Sequence, residues 1–277
     1  MCRLFALNAG QTRVKATFWL LDAPDSMEVQ SHRNLDGSGV GFFGPGGEPV
    51  IHKEPEPAFE DPGFTHDAMD CESETFAAHV RLASTGGRTM ANTHPFTMHG
   101  RIFAHNGGFG ELGPLEQQLG DYRDLVRGDT DSERFFALIT KETDARGGDV
   151  AAGITAAARW IGENLPVAAL NLVLIAPGEL WALRFPGQHA LHVLERPAAS
   201  GLSVRSSISS YRSDDLAGTD SVLVASERLD GETGWRMLEQ GELIHVKADL
   251  SIGSVLAVPD PPRRLIPIGS DNPNVDT

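Results

Sequence analysis

A cysteine stands directly behind Met1, in the run Met1-Cys2-Arg3-Leu4-Phe5-Ala6. Removal of Met1 would leave Cys2 carrying both a soft nucleophile and a free α-amine whose reference pKa is about 8. A nucleophile with an adjacent base is the minimum equipment for covalent acyl transfer. The same residue also fits a first strand as a small buried apolar group, the commoner state of a free cysteine. Its partners must decide between the two.

Candidate partners lie between His79 and Glu133. Arg81, inside the apolar strand pattern Thr75 to Ser84 (TFAAHVRLAS), needs an anion or an opening to solvent. It can grip a substrate carboxylate with two parallel hydrogen bonds or close a structural ion pair. Asn106-Gly107 follows the strand pattern Arg101 to His105. An Asn amide and the next backbone N–H can stabilise a developing oxyanion, and the same pair also reads as an ordinary hairpin turn. Asp129-Thr130-Asp131-Ser132-Glu133 puts acids at a helix start, where capping and the helix dipole favour them. One of them, Asp131, is placed to face a substrate ammonium.

Four histidines, His79, His94, His99 and His105, share this segment. Their spacing matches no short ligand signature, so neither a metal nor a cofactor is expected. The glycine-rich GFFGPGGEP lacks the Gly-Lys-Ser/Thr ending of a phosphate loop. Ser226-Glu227-Arg228, after the strand SVLVAS, is a late segment that can reach a site from the far end of the chain.

The elements that must position these groups follow from periodicity. Residues 2 to 8 read as a strand apolar on both faces, and Leu35 to Gly47 as turn, short strand and turn. Residues 48 to 73, rich in Pro, Glu and Asp, read as a surface excursion with few regular elements. Arg101 to His105 is expected to end in a turn at Asn106-Gly107-Gly108. Leu112 to Leu119 reads as a short helix. Thr130 and Glu133 fit a capping box before a helix with Phe135, Phe136 and Ile139 inside. Asp149 caps another, with Ile154, Ala157, Ala158 and Ile161 at helical spacing. Many short strands follow from residue 168. Strands, then helices, then strands, without βαβ repetition, give an α+β layered sandwich rather than a doubly wound sheet. A single domain over 2–261 with a peripheral tail at 262–277 is expected.

The chain has 277 residues, 40% hydrophobic and 22% charged, with 23 Lys plus Arg against 38 Asp plus Glu. A formal charge of −15 opposes general binding to nucleic acid and to anionic membranes. Cys2 and Cys71 form no disulfide framework, and there is no apolar run long enough to span a bilayer. A soluble, cytoplasmic protein whose fold starts at residue 2 without a leader is expected.

Taken together, MCRLFAL, DGSGVGFF, HVRLASTGG followed by NTHPF, FAHNGGF and GDTDSERFFALI resemble the glutaminase domain of class II glutamine amidotransferases, a branch of the N-terminal-nucleophile hydrolases. The stretches occur in family order from residue 1 to about 140, and SVLVASERLD with WRMLEQGELIHV fits the closing strands. The resemblance implies a four-layer αββα sandwich. It implies Cys2 as nucleophile with its own α-amine as base, Asn106 and the Gly107 N–H as oxyanion hole, Arg81 on the substrate α-carboxylate and Asp131 on the α-ammonium. Many members have Thr-His where this chain has Ser84-Thr85, which leaves the substrate-lining role of that pair open. No synthase module is recognisable, so the chain resembles the stand-alone members, among them γ-glutamyl amide hydrolases of ergothioneine synthesis. The implied substrate is glutamine or a small γ-glutamyl conjugate. The alternatives are a glutaminase subunit feeding ammonia to a separate synthase, or an inactive γ-glutamyl binding module. A homodimer is a family-level expectation.

Overall fold

A computed structural model describes residues 2–83, 86–198, 203–205, 210–212 and 218–268. Its strands are β1 (Arg3–Asn8), β2 (Ser38–Phe43), β3 (Pro49–Glu54), β4 (Thr75–Val80), β5 (Phe96–Met98), β6 (Arg101–Phe109), β7 (Pro166–Ala176) and β8 (Glu179–Leu183). They continue with β9 (His192–Arg196), β10 (Ser203–Arg205), β11 (Ser210–Arg212), β12 (Ser221–Ala225), β13 (Arg236–Met237), β14 (Glu242–Val246), β15 (Ile252–Leu256) and β16 (Arg264–Leu265). The helices are α1 (Met27–Ser31), α2 (Pro62–Asp70), α3 (Leu112–Leu119), α4 (Asp131–Asp144) and α5 (Val150–Asn164).

Two antiparallel sheets stack face to face. The first runs β13-β9-β12-β1-β4-β2-β3 and the second β15-β14-β8-β7-β6-β5, with β16 lying parallel to β7. The strand alternation assigns each side chain to a layer. From β1, Leu4 and Ala6 enter the space between the sheets, where they meet Ala77, Ile102, Ala104, Val173 and Ile175. Phe5 and Leu7 turn outward and pack with Phe76 and Ala78 under Trp19, Met27, Phe64 and Ala68. On the far side, Phe103, Leu172 and Leu174 meet Phe135, Phe136, Ile139, Ile154 and Ile161 of α4 and α5. The result is the expected four-layer αββα sandwich. Each fully buried Phe or Leu contributes about 1.5–3 kcal/mol, which explains why a strand apolar on both faces must be central.

The helix starts are made locally. Thr130 Oγ1 accepts the Glu133 N–H at 3.3 Å, and Asp149 Oδ1 accepts the Ala152 N–H at 2.9 Å. The second half of the expected capping box is absent: the Glu133 carboxylate accepts the Gly128 N–H at 2.6 Å, so it braces the loop before α4.

Two expectations are corrected. Residues 48 to 73 hold β3 and α2: β3 pairs with β2 at the sheet edge, and α2 starts on Asp61, whose Oδ1 accepts the Gly63 N–H at 2.9 Å, with Pro62 in the first turn. Pairing and an N-cap followed by Pro outweigh weak periodicity there. Asn106-Gly107-Gly108 is not a turn. Strand β6 runs through it to Phe109, pairing Asn106 with Asn171 and Gly107 with Leu170, and the register shifts only after Gly108. Long-range pairing with β7 overrides the local turn preference of Asn-Gly.

Candidate active site

Cys2 precedes β1 at one end of the first sheet and is half-buried. Its thiol donates to the Leu82 carbonyl at 3.4 Å, and the Leu82 N–H donates to Sγ at 3.3 Å. The strand behind it is anchored from the far end of the chain. Ser226 Oγ accepts the Leu4 N–H at 2.6 Å, and Glu227 pairs with Arg3 at 2.5 Å. The late Ser226-Glu227 segment therefore does reach the strand that follows Cys2, as a clamp.

Arg81 follows β4 and is buried, 3% exposed. Its guanidinium donates to backbone carbonyls: Nη1 to Gly87 at 3.2 Å and Asp36 at 3.5 Å, Nη2 to Gly86 at 3.4 Å. It thus organises the loop that follows it. Ser84 and Thr85, the expected substrate-lining pair, lie outside the described residues.

Asp36, to which the sequence reading assigned no role, braces the same loop. Its Oδ2 accepts the Ala83 N–H at 2.7 Å, and its Oδ1 pairs with Arg88. Its backbone N–H donates to the Arg81 carbonyl at 3.0 Å. The available signal was an Asp-Gly turn immediately before a strand. Asn92 was missed as well. Its Nδ2 donates to the Gly87 carbonyl at 3.2 Å and its Oδ1 accepts the Asp129 N–H at 2.8 Å, joining the Arg81 loop to the Asp131 loop.

Asn106 is buried, 3% exposed, near the end of β6. A Cβ on Gly107 would stand 2.0 Å from the Ala169 carbonyl oxygen, so only glycine lets the strands approach this closely. Asp131, in the first turn of α4, accepts the Phe109 N–H on Oδ2 at 3.1 Å and the Ser132 N–H on Oδ1 at 2.9 Å. It ties α4 to the strand that carries Asn106 and Gly107. His105 supports this joint. Its Nε2 donates to the Ala169 carbonyl at 3.2 Å, which leaves Nδ1 to accept the Ser132 hydroxyl at 2.9 Å.

Electrostatics tie these elements to the sulfur. Burial pushes the Cys2 thiol above its ordinary range; the Leu82 N–H and the Arg81 guanidinium pull it back, and the Asp131 carboxylate opposes ionisation. A cation just after β4 and an anion in the first turn of α4 thus pull the thiol in opposite directions. The residues picked from sequence as nucleophile, carboxylate grip and ammonium partner share one electrostatic neighbourhood.

Residues 1–262 match the family model described as class II glutamine amidotransferases. The chain belongs to the class II glutamine amidotransferases. Among relatives of this amidotransferase, a probable glutamine amidotransferase of Saccharomyces cerevisiae is 32% identical over 126 residues, covering 42% of this chain and 35% of the yeast protein. The match therefore spans about a third of that relative's length. The γ-glutamyl-hercynylcysteine sulfoxide hydrolase of Mycolicibacterium smegmatis is 27% identical over 239 residues, 82% of this chain and 88% of that protein.

Solved structures extend the likeness of the amidotransferase fold. A class II domain protein from Silicibacter pomeroyi superposes with a TM-score of 0.61 at 21% identity, covering 91% of this chain and 98% of that one. The allosteric regulatory enzyme of purine biosynthesis gives 0.67 at 20% identity over 95% of this chain and 50% of that one. Family and fold agree: the chain is a class II glutamine amidotransferase with the layered sandwich of these solved structures. Among its described residues, no helix is long and apolar enough to cross a membrane.

Proposed function

We propose that this amidotransferase hydrolyses the γ-glutamyl amide bond of glutamine or of a small γ-glutamyl conjugate, through a thioester on Cys2. One observation carries the reading: Leu82, next to Arg81, holds the Cys2 sulfur with its N–H and carbonyl, and Asn92 joins the Arg81 loop to the segment leading into Asp131, so residues of opposite charge stand on elements joined to the thiol. A γ-glutamyl group carries the complementary pair, an α-carboxylate and an α-ammonium, a fixed distance from its γ-carbonyl. Held at its amino-acid end, it delivers that carbonyl to sulfur without further loss of freedom.

The burial that raises the thiol keeps it protonated at neutral pH, so attack needs a base. The α-amine of Cys2, free once Met1 is removed, takes the thiol proton as sulfur adds to the γ-carbonyl. Negative charge forms on the carbonyl oxygen, where the Asn106 amide and the Gly107 N–H are the donors. The C–N bond then breaks, and the nitrogen leaves with the proton held by the amine. Water adds to the thioester, and glutamate departs as the thiol is restored. The homology with a hydrolase named for a γ-glutamyl conjugate supports including secondary amides among the substrates.

The test combines N-terminal mass with labelling. The mature chain should begin at Cys2, take one equivalent of 6-diazo-5-oxonorleucine on that residue, and release glutamate from glutamine or γ-glutamyl p-nitroanilide. Retained Met1 with no adduct on Cys2 overturns the proposal.

A further inference from the structure

Along one edge of the sandwich, β3 ends the first sheet and β5 ends the second. Strand alternation puts Ile51 and Lys53 on one side of β3, and Phe96 and Met98 on one side of β5. Leu125 and Arg127 come from the approach to α4, and Glu133 from its first turn. Together they line a cavity of about 380 Å³, within the size range of small-molecule sites. None of the residues assigned to the reaction at Cys2 lines it.

In a chain of net charge −15, two cations line this cavity, and neither is ion-paired among the described residues. Arg127 is exposed and Lys53 partly buried. Lys53 Nζ donates to the Thr93 carbonyl at 2.7 Å and stands 4.7 Å from the centre of the Phe96 ring. An ammonium has three N–H donors, so it can still donate to a ligand. Burial pulls its pKa down to about 8, against the opposing pull of the Glu133 carboxylate. A ligand carboxylate would supply the negative charge that this desolvated ammonium lacks. Glu133 is the opposite pole. One of its oxygens accepts the Gly128 N–H at 2.6 Å, and a carboxylate has capacity for further donors. Much of the remaining wall is apolar, from Ile51, Phe96, Met98 and Leu125.

We infer that this cavity binds a small apolar α-amino acid, its carboxylate on Lys53 and Arg127, its ammonium on Glu133 and its side chain against Ile51, Met98 and Leu125. Each kind of group on the wall then meets its complement in the ligand. A plain carboxylate would leave Glu133 without a cation, and a plain amine would leave both cations without an anion. Binding here does not depend on the reaction proposed for Cys2. The cavity does back onto the strap behind the Arg81 loop: Ala91 lines it, while the next residue, Asn92, joins Gly87 to Asp129.

The test titrates the full chain with free L-leucine, isocaproate and isoamylamine, which share an apolar body and differ in their charged groups. By calorimetry, leucine should bind with a Kd of about 1 mM or tighter, and the other two about 10-fold more weakly. Arg127→Ala and Lys53→Met should each weaken leucine about 10-fold. Glu133→Gln, which keeps an oxygen for the Gly128 N–H, should reduce leucine to the affinity of isocaproate. Methyl NMR shifts should fall on Ile51, Met98 and Leu125 and spare Leu4 and Leu82, the neighbours of Cys2. If Lys53→Met does not fold, Arg127→Ala, at an exposed position, carries the comparison. Absence of saturable binding, equal affinity for leucine and isocaproate, unchanged affinity in Arg127→Ala, or shifts at Leu4 and Leu82 instead would each overturn the site.

Discussion

Leu82 holds the Cys2 sulfur with both of its backbone groups, donating its N–H at 3.3 Å and accepting the thiol proton on its carbonyl at 3.4 Å. Cys2 is thereby tied to the loop that begins at Arg81. Whatever moves that loop moves the sulfur relative to Asn106 and Gly107.

Asp36 is the main brace of that loop, through the Ala83 N–H and Arg88. Asp36→Ala should lower kcat/KM for a γ-glutamyl amide about tenfold, because a partly buried N–H loses its acceptor beside the nucleophile. Arg88→Ala removes only the exposed half of the ion pair and should cost less than about 1 kcal/mol of stability. Steady-state kinetics of the two variants, with urea titrations, check the contrast.

Gly107→Ala and Gly108→Ala should part sharply. The added Cβ at Gly107 meets the Ala169 carbonyl oxygen at 2.0 Å, a backbone atom that moves only with β7. At Gly108 its nearest neighbour is Asp131 Oδ2 at 3.8 Å, an ordinary contact. The first variant should lose about 3 kcal/mol or more and its turnover; the second should keep its fold. Thermal melts and glutamate release distinguish them.

Asp131→Asn keeps the size of the side chain, removes its charge and turns one of the two oxygens that accept the Phe109 and Ser132 N–H groups into a donor, so one of those hydrogen bonds is lost as well. The predicted phenotype is a KM raised about 10- to 100-fold for substrates with an α-ammonium, with a smaller change in kcat. Substrates lacking the α-amine should show only the smaller loss that comes from the missing hydrogen bond between α4 and β6. An equal loss on both would assign Asp131 to structure alone.

Acid should destabilise the fold through buried imidazoles. His79 and His94 stack with ring centroids 4.1 Å apart, and burial holds the His79 pKa at about 3 against an ordinary 6.5. Below pH 6.5 the unfolded chain binds a proton at His79 that the folded chain refuses. Stability is therefore full above that pH and declines as pH falls toward 3, by about 1.4 kcal/mol per pH unit for this one group. His94 is shifted in the same direction. Urea midpoints between pH 7 and 4.5 should show a shallower decline in His79→Asn than in the wild type.

Local signals carried much of the fold. A strand apolar on both faces, a Thr130 cap and an Asp149 cap specify β1, α4 and α5, because each depends on residues within one or two turns of chain. The same locality hid β3 and α2, whose stretch has little periodicity and whose order comes from edge pairing and one capping carboxylate. Of the candidate site, Cys2, Arg81, Asn106, Gly107 and Asp131 could be picked from the sequence because their residue types suit one chemistry. Asn92 could not, since nothing in its own neighbourhood marks it, and Asp36 offered only the Asp-Gly turn before β2.

The sequence by itself determined the chemical inventory: a thiol behind Met1, a strand arginine, an amide next to glycine, and an acid at a helix start. Only the tertiary structure decided how these are held. Asn106-Gly107 became strand rather than turn because β7, more than 60 positions away, pairs through it. Arg81 became a loop organiser because carbonyls of Asp36, Gly86 and Gly87 converge on it. Ser226, 222 positions from Leu4, became the clamp on β1. Such contacts are invisible in a local reading because their free energy exists only once distant segments have been brought together and the entropy of closing those loops has been overcome.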